Sequence, residues 1–432
     1  MIRLITIVCA LSGLLFGFDA GIISGAILYL KGDFHIAPHV EGVIVSALPV
    51  GALLSAIISG RIIDLYGRKR TLFATSLMYL CGALLCAFAW SVLCVVVGRL
   101  LLGFGIGLSS TASPLYLSEL SPKNKRGKVV TLYLIAVNSG IFLSYLSNYI
   151  FAFLASWRMM FFIAVIPSTV LFFLLFFIPE SPRWLFLRGK AVQARQILSN
   201  IKNYSKQDVH DIQSNINYKT IKLKQINQNQ KKLLWIGFGI GFFTQAVGIN
   251  AIIYYAPTIL IESGIASHDS AIFYSIAIGL TVMLAAIYAG FNLDTIGRKN
   301  LLLIGLLGII VSLFLMTIFY YIIEEKSILA WSILACSVFF VACQGISVGP
   351  ACFLLPAEIF PIEIRGLGMS ISMAANWLTN ILVSFSFPVM LSIMGIANVF
   401  IVFGVISIIG WWFFKKYIFE TKRISLEKIA EF

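Results

Sequence analysis

Long apolar runs, broken by short polar and basic segments, dominate the chain. A helix that crosses a bilayer takes roughly 20 mostly apolar residues, and twelve runs reach that length. They begin near Leu4, Gly42, Leu72, Val92, Val129, Met159, Leu233, Ala271, Leu301, Ile328, Leu367 and Ile396. They end near Leu30, Ile63, Trp90, Leu117, Phe151, Ile178, Ile261, Leu293, Ile323, Leu355, Leu391 and Phe414. One longer polar segment, residues 179–232, separates the sixth run from the seventh. The pattern predicts an all-α membrane protein with twelve transmembrane helices in two pseudo-symmetric six-helix bundles. Its parts are residues 1–178, a cytoplasmic linker over 179–232, a second bundle over 233–418 and a tail over 419–432. Residues 192–201 of the linker have the amphipathic spacing of a short surface helix. The first run lacks a small-residue cleavage site and is long enough to span, so it reads as a retained helix.

Composition agrees with this picture. The chain is 59% hydrophobic and only 12% charged, too little charge to cover a soluble surface. The net charge of +14 would suit nucleic acid, but its distribution does not. Apart from Lys31, Arg158, Lys326 and the membrane-embedded Arg99, the basic residues fall in segments that share one side when both termini are cytoplasmic. That is the positive-inside asymmetry, and it needs no acidic partner. Trp90, Trp157 and Trp331 mark outer helix ends, and Trp235, Trp411 and Trp412 inner ends, as an aromatic belt requires. The seven cysteines all lie in apolar runs without metal-ligand spacing and read as packing residues.

The halves repeat. GRIIDLYGRKR follows the second run and GFNLDTIGRKN the eighth; SELSPKNKRG follows the fourth and AEIFPIEIRG the tenth. Two such repeats related along the membrane normal are a transporter architecture. Each motif sits at a cytoplasmic helix end. There an acid caps a helix or pairs with an arginine. Positive-inside bias alone explains the basic residues, but not the repeated acids Asp64, Asp294, Glu119 and Glu358. With Arg68, Arg126, Glu180, Arg183, Arg298 and Arg365, they form the expected cytoplasmic gate.

Asp19 in the first helix and Arg99 in the fourth are the two charges well inside the hydrocarbon. Each costs roughly 2.5–3.5 kcal/mol on an insertion scale if it faces lipid alone, so both are expected to face inward and to pair. A carboxylate that is buried in one conformation and paired in another loads and releases a proton. A fixed structural pair is the competing reading, although stability is a weak reason to keep one.

Glycines and prolines make the first, fourth, seventh and tenth helices the irregular ones, and broken helices at membrane depth line cavities. Small-residue helix packing explains the same glycines. The polar groups on offer are Gln245, Asn250, Tyr254 and Tyr255 in the seventh helix. Asn376 and Asn380 flank Trp377 in the eleventh, where Trp377 falls outside the belts. Amides with one aromatic face suit a neutral polyhydroxylated ligand. No catalytic constellation, nucleotide loop or metal motif is present, so neither an enzyme nor an ATP-driven pump is expected.

GFDAGIISG, GRIIDLYGRKR, PLYLSELSPKNKRGK, PESPRWL, QAVGINAIIYYAP and GPACFLLPAEIFPIEIRG together resemble the sugar porter family of the major facilitator superfamily, from the first helix to the C-terminus. The resemblance implies a rocking two-domain carrier with a central sugar site. Bacterial proton-coupled members (of the xylose, arabinose and galactose type) carry an Asp and an Arg where Asp19 and Arg99 stand, whereas equilibrative glucose facilitators usually have Asn at the former. The family pattern adds Phe16, Thr244 and Phe353 to the candidate ligands. Departures are Leu134 for a fifth-helix Gln, Thr244 for the first of a Gln pair, Phe353 for a Trp, Val282 for an Asn and Phe419 for the Pro of PETK. A pentose, deoxy sugar or cyclitol therefore fits as well as glucose. The expected function is proton-coupled symport of a small neutral sugar or polyol, with the proton as coupling ion and no other cofactor. A multi-pass monomer in a bacterial inner membrane, with no nucleic-acid partner, is expected. A passive facilitator and a non-transporting sugar sensor are the alternatives; the short segment after Phe414 argues against the sensor.

Overall fold

The computed structural model describes the backbone of residues 2–120, 126–199, 227–361, 364–418 and 420. Among these it describes all side chains except those of residues 2, 126–128, 130, 229, 292–296, 353 and 357. Eleven helices are long and apolar enough to cross a membrane. The last, Arg365–Tyr417, has 53 residues and breaks at Gly395, where φ is 74° and ψ is 162°. At 1.5 Å per residue an unbroken helix of that length would reach about 80 Å, far beyond a bilayer of roughly 30 Å. It therefore supplies two spans, 365–394 and 396–417, and the chain has the twelve expected. The sixth span is assembled from Trp157–Phe162, Val165–Leu174 and a 3-10 turn, Leu175–Phe177. Two short linker helices follow, Pro182–Leu187 and Ala191–Ser199. Residues 200–226 of the linker, and all of the tail but Glu420, lie outside the described residues.

Within the first half the second span packs on the fourth and the first on the fifth. In the second half the seventh packs on the eleventh. The halves meet where the fifth span packs on the eighth and the eleventh on the second. Shifting by six spans exchanges those two interfaces, which is the repeat symmetry of the sequence expressed in packing.

The first and fourth spans are continuous helices, Ile2–Phe34 and Val92–Leu120, so the expectation that they are broken is corrected. Their glycines serve close packing instead. A Cβ on Gly17 would lie 1.7 Å from the Val137 carbonyl oxygen, and one on Gly103 would lie 1.9 Å from that of Leu48. Only a helix face without side chains lets backbones approach so closely. The seventh and tenth spans are the irregular ones. The seventh divides into Gln228–Ala246 and Ile249–Glu262 around Gly248, which adopts φ 92° and ψ 16°. The tenth runs from Lys326–Cys343 through a π turn, Gln344–Val348, into Gly349–Ile359. Pro350 has no N–H to give Ile346, and this local mismatch is what a π turn absorbs.

Three internal prolines share a device. A proline frees the carbonyl four residues earlier, and in hydrocarbon that carbonyl needs another donor. Pro49 frees Val45, which accepts from Arg99 Nη2 at 3.4 Å. Pro257 frees Ile253, which accepts from the Tyr145 hydroxyl at 2.6 Å. Pro388 frees Ser384, which accepts from the Tyr255 hydroxyl at 2.8 Å. In each case the donor comes from a different span.

Candidate functional site

The GRK triplets turn out to be helix starts. Gly67 and Gly297 have φ of 92° and 99°, and a helix begins at the next residue in each case. Glu180 Oε1 accepts from the backbone N–H of Arg68 at 2.9 Å and of Lys69 at 3.2 Å. Glu420 repeats this in the second half, accepting from Arg298 at 2.9 Å and Lys299 at 3.2 Å. A carboxylate on the first free N–H groups of a helix is favoured by hydrogen bonding and by the helix dipole together. A Cβ on Gly67 would sit 2.4 Å from Glu180 Oε2, so the glycine is needed for room as well as for its dihedrals. Burial pushes the Glu180 carboxyl above the usual carboxylate value, against the N–H bonds from Ser181, Lys69 and Arg68 that pull it down.

Arg68 makes a bidentate pair with Glu119, Nη2 to Oε1 at 2.7 Å and Nε to Oε2 at 2.9 Å, with both side chains buried. Ser181 donates its hydroxyl to the same carboxylate. Asp64 lies 3.6 Å from Arg68 but is mostly exposed. Arg298 meets Glu358 at 3.4 Å. Arg365 donates to the Phe360 carbonyl at 3.1 Å, and Arg183 is half-buried in the first linker helix. Each of these pairs joins elements of one half. Together they brace the end of each bundle that carries the basic loops. The side chains of Arg126 and Asp294 lie outside the described residues.

Asp19 and Arg99 are both fully buried, as expected, but the expected ion pair is not formed. Arg99 Nε donates to the Ile44 carbonyl at 2.9 Å and Nη2 to that of Val45. Both Asp19 oxygens and Arg99 Nη1 lack a hydrogen-bond partner among the described residues. The reason lies in the second span: Pro49 leaves Val45 without its helical donor, and the guanidinium fills that need.

The seventh, tenth and eleventh spans bring the amides together. Asn250 Nδ2 donates to Gln245 Oε1, and Gln245 Nε2 donates to Asn376 Oδ1 at 3.3 Å. Asn376 Nδ2 reaches Thr244 Oγ1 at 3.2 Å and Cys352 Sγ at 3.1 Å. Asn380 Nδ2 donates to the Tyr254 hydroxyl at 3.3 Å. Trp377 faces Phe16 of the other half, their ring centroids 6.1 Å apart. Tyr255 turns away, its ring stacked on Phe387 and its hydroxyl on Ser384. The Phe353 side chain lies outside the described residues.

Sequence reading overlooked Gln344, whose Nε2 donates to the Thr244 carbonyl at 3.3 Å; its place at the head of QGISVGP, in the irregular tenth helix, was the available signal. Trp377 Nε1, Gln344 Oε1 and Asn380 Oδ1 are buried without partners among the described residues. Native interiors rarely leave such atoms unused without a functional reason. Glu420 was also overlooked, although FETK repeats the place of PESP after a sixth helix. Trp157 departs from the belt: it is buried, with its N–H on Asp33 Oδ2 at 2.8 Å.

On the outer side the halves touch closely. Tyr29 donates to Asp269 at 2.9 Å, and Tyr145 to the Ile253 carbonyl. The outer half of the seventh span packs against the first.

The family described as "Sugar (and other) transporter" matches residues 5–432. The D-xylose transporter of Levilactobacillus brevis is 35% identical over 427 residues, covering 97% of this chain and 93% of that protein. The arabinose-proton symporter of Escherichia coli is 30% identical over 444 residues, covering 98% and 92%. The inward open conformation of the xylose transporter XylE from Escherichia coli aligns with a TM-score of 0.86 at 29% identity, over 100% of this chain and 99% of that one. The proton:xylose symporter XylE bound to 6-bromo-6-deoxy-D-glucose gives 0.79 at 30% identity, over 100% and 98%. In fold, in repeat and over nearly its whole length, the chain belongs to the sugar transporter family of the major facilitator superfamily.

Proposed function

We propose that this protein carries a small neutral sugar or polyol into the cell together with a proton, by alternating access of one central site between its two halves. Asp19 carries the coupling. It is a buried carboxyl on the first span whose oxygens have no donor among the described residues. The neighbouring cation that would fix it as a structural ion pair is instead engaged with Ile44 and Val45. An acid so placed is available to exchange a proton, and an intramembrane carboxyl without a structural partner is by default a functional group. The sugar site lies around Gln245, Asn250, Asn376, Trp377, Gln344 and Asn380. Its unused Trp377 N–H, Gln344 carbonyl and Asn380 carbonyl match hydroxyls that both donate and accept. The Phe16–Trp377 pair offers an apolar face to sugar C–H groups across the halves. The basic loops support an orientation with both termini in the cytoplasm, in a bacterial plasma membrane, and a monomer as the transporting unit.

The test is uptake of radiolabelled D-xylose, L-arabinose, D-glucose and myo-inositol into vesicles with an imposed inward proton gradient. One compound accumulates above its external concentration and leaks back when a protonophore is added. Equilibration without accumulation would make the protein a facilitator, and no uptake of any of the four would overturn the sugar reading.

A further inference from the structure

The fifth span sends one side chain deep into the opposite half. The Tyr145 hydroxyl donates to the Ile253 carbonyl at 2.6 Å, and the residue is fully buried. That carbonyl is the one Pro257 deprives of a helical donor. The ring of Tyr145 rests on Gly279 of the eighth span, where a Cβ would come within 2.4 Å of Cδ2. Two features of the second half, a missing N–H and a missing side chain, thus receive one residue of the first.

Ile253 lies in the outer segment of the seventh span, which has a break on either side of it. Gly248 holds a left-handed conformation below it, and Tyr255 is non-helical (φ −123°, ψ 20°) above it. This segment packs on the first span, across the halves. A short helix jointed at both ends and held across the interface can swing, and opening the outer side separates it from Tyr145.

We infer that Tyr145 is a positioning residue for transport: it latches the outer half of the seventh span shut over the central site by capping the carbonyl that Pro257 frees. With the outer side closed, the buried carbonyl has Tyr145 as its donor. With it open, water replaces the phenol. The bond therefore favours the closed-outside state by the net value of one buried hydrogen bond, roughly three- to tenfold in population. The inference rests on alternating access between the halves and on neither the sugar's identity nor proton coupling.

The experiment reads distance, so it is independent of transport. Spin labels on Gly32→Cys and Glu262→Cys, at the outer ends of the first and seventh spans, report the outer opening in proteoliposomes. Tyr145→Phe raises the long-distance population at least threefold over the parent. Gly279→Ala, which displaces the ring and carries its hydroxyl away from the Ile253 carbonyl, moves it the same way. Tyr149→Phe, one turn outward and packed on Phe153 and Phe273, leaves it unchanged. Equal distributions in the parent, Tyr145→Phe and Gly279→Ala overturn the latch, as does an equal shift in Tyr149→Phe.

Discussion

Arg99 holds its guanidinium on the backbone of the second span, with Nε on the Ile44 carbonyl at 2.9 Å, while the carboxyl of Asp19 has no hydrogen-bond donor among the described residues. On the proposed reading, the two charges therefore have separate duties. Asp19→Asn keeps the shape of the side chain and removes the exchangeable proton. Accumulation against a gradient is expected to vanish, while sugar exchange between equal pools on both sides persists. Counterflow assays beside gradient-driven uptake measure this split. Arg99→Met, in contrast, strips two backbone carbonyls of their donor, and is expected to lower thermal stability as well as transport.

At the proposed sugar site the buried atoms without partners among the described residues are the ones a ligand is expected to satisfy. Gln344→Ala, Asn380→Ala and Trp377→Phe each leave one sugar hydroxyl unpaired. At about 1–3 kcal/mol per lost buried partner, each raises the half-saturating sugar concentration roughly 5- to 150-fold. Tyr255→Phe loses only the bond to Ser384 in the eleventh span and is expected to change affinity far less. Initial-rate uptake over a range of sugar concentrations separates the two groups.

The cytoplasmic pairs differ in burial, and their variants should differ with it. Arg68 and Glu119 are both about 5% exposed and bidentate, so Arg68→Met removes the charged partner of a buried carboxylate and costs about 3–5 kcal/mol. Arg298 and Glu358 are more exposed and 3.4 Å apart, and Arg298→Met is expected to cost less. Thermal unfolding in detergent, read by tryptophan fluorescence, ranks the two. Equal losses would mean that the halves are braced alike.

Glu180 gives a pH dependence of definite sign. Its folded-state pKa is raised by burial, so the native state holds its proton more tightly than the unfolded chain does. Its contribution to stability is full at acid pH and is lost as pH rises through the raised value. Glu180→Gln cannot ionise. The melting temperature of the parent relative to Glu180→Gln is expected to fall as pH rises above the ordinary glutamate value, and a rise would contradict the stated cause.

Twelve spans, two halves and the repeated loop motifs were legible in the sequence because hydropathy and spacing are properties of the chain alone. The roles within the motifs were less so. The repeated Gly-Arg-Lys triplet shows that something recurs. That the glycine turns the chain and exposes two N–H groups to Glu180 depends on a carboxylate over a hundred residues away. The Asp19–Arg99 pair failed for the same kind of reason: a counter-charge rule compares side chains, and Arg99 was claimed by a backbone carbonyl that Pro49 had freed. Glycine-rich first and fourth helices looked breakable, yet their glycines pack on carbonyls of neighbouring spans and the helices stay whole. The seventh and tenth spans did break, where a left-handed glycine and a proline act locally.

Proton coupling through Asp19 is tested most directly with a pH electrode in a lightly buffered suspension of cells bearing the protein. Addition of the transported sugar is expected to make the medium transiently alkaline in the parent and to leave it unchanged in Asp19→Asn. Radiolabelled sugar uptake by the parent without that alkaline shift would contradict the account.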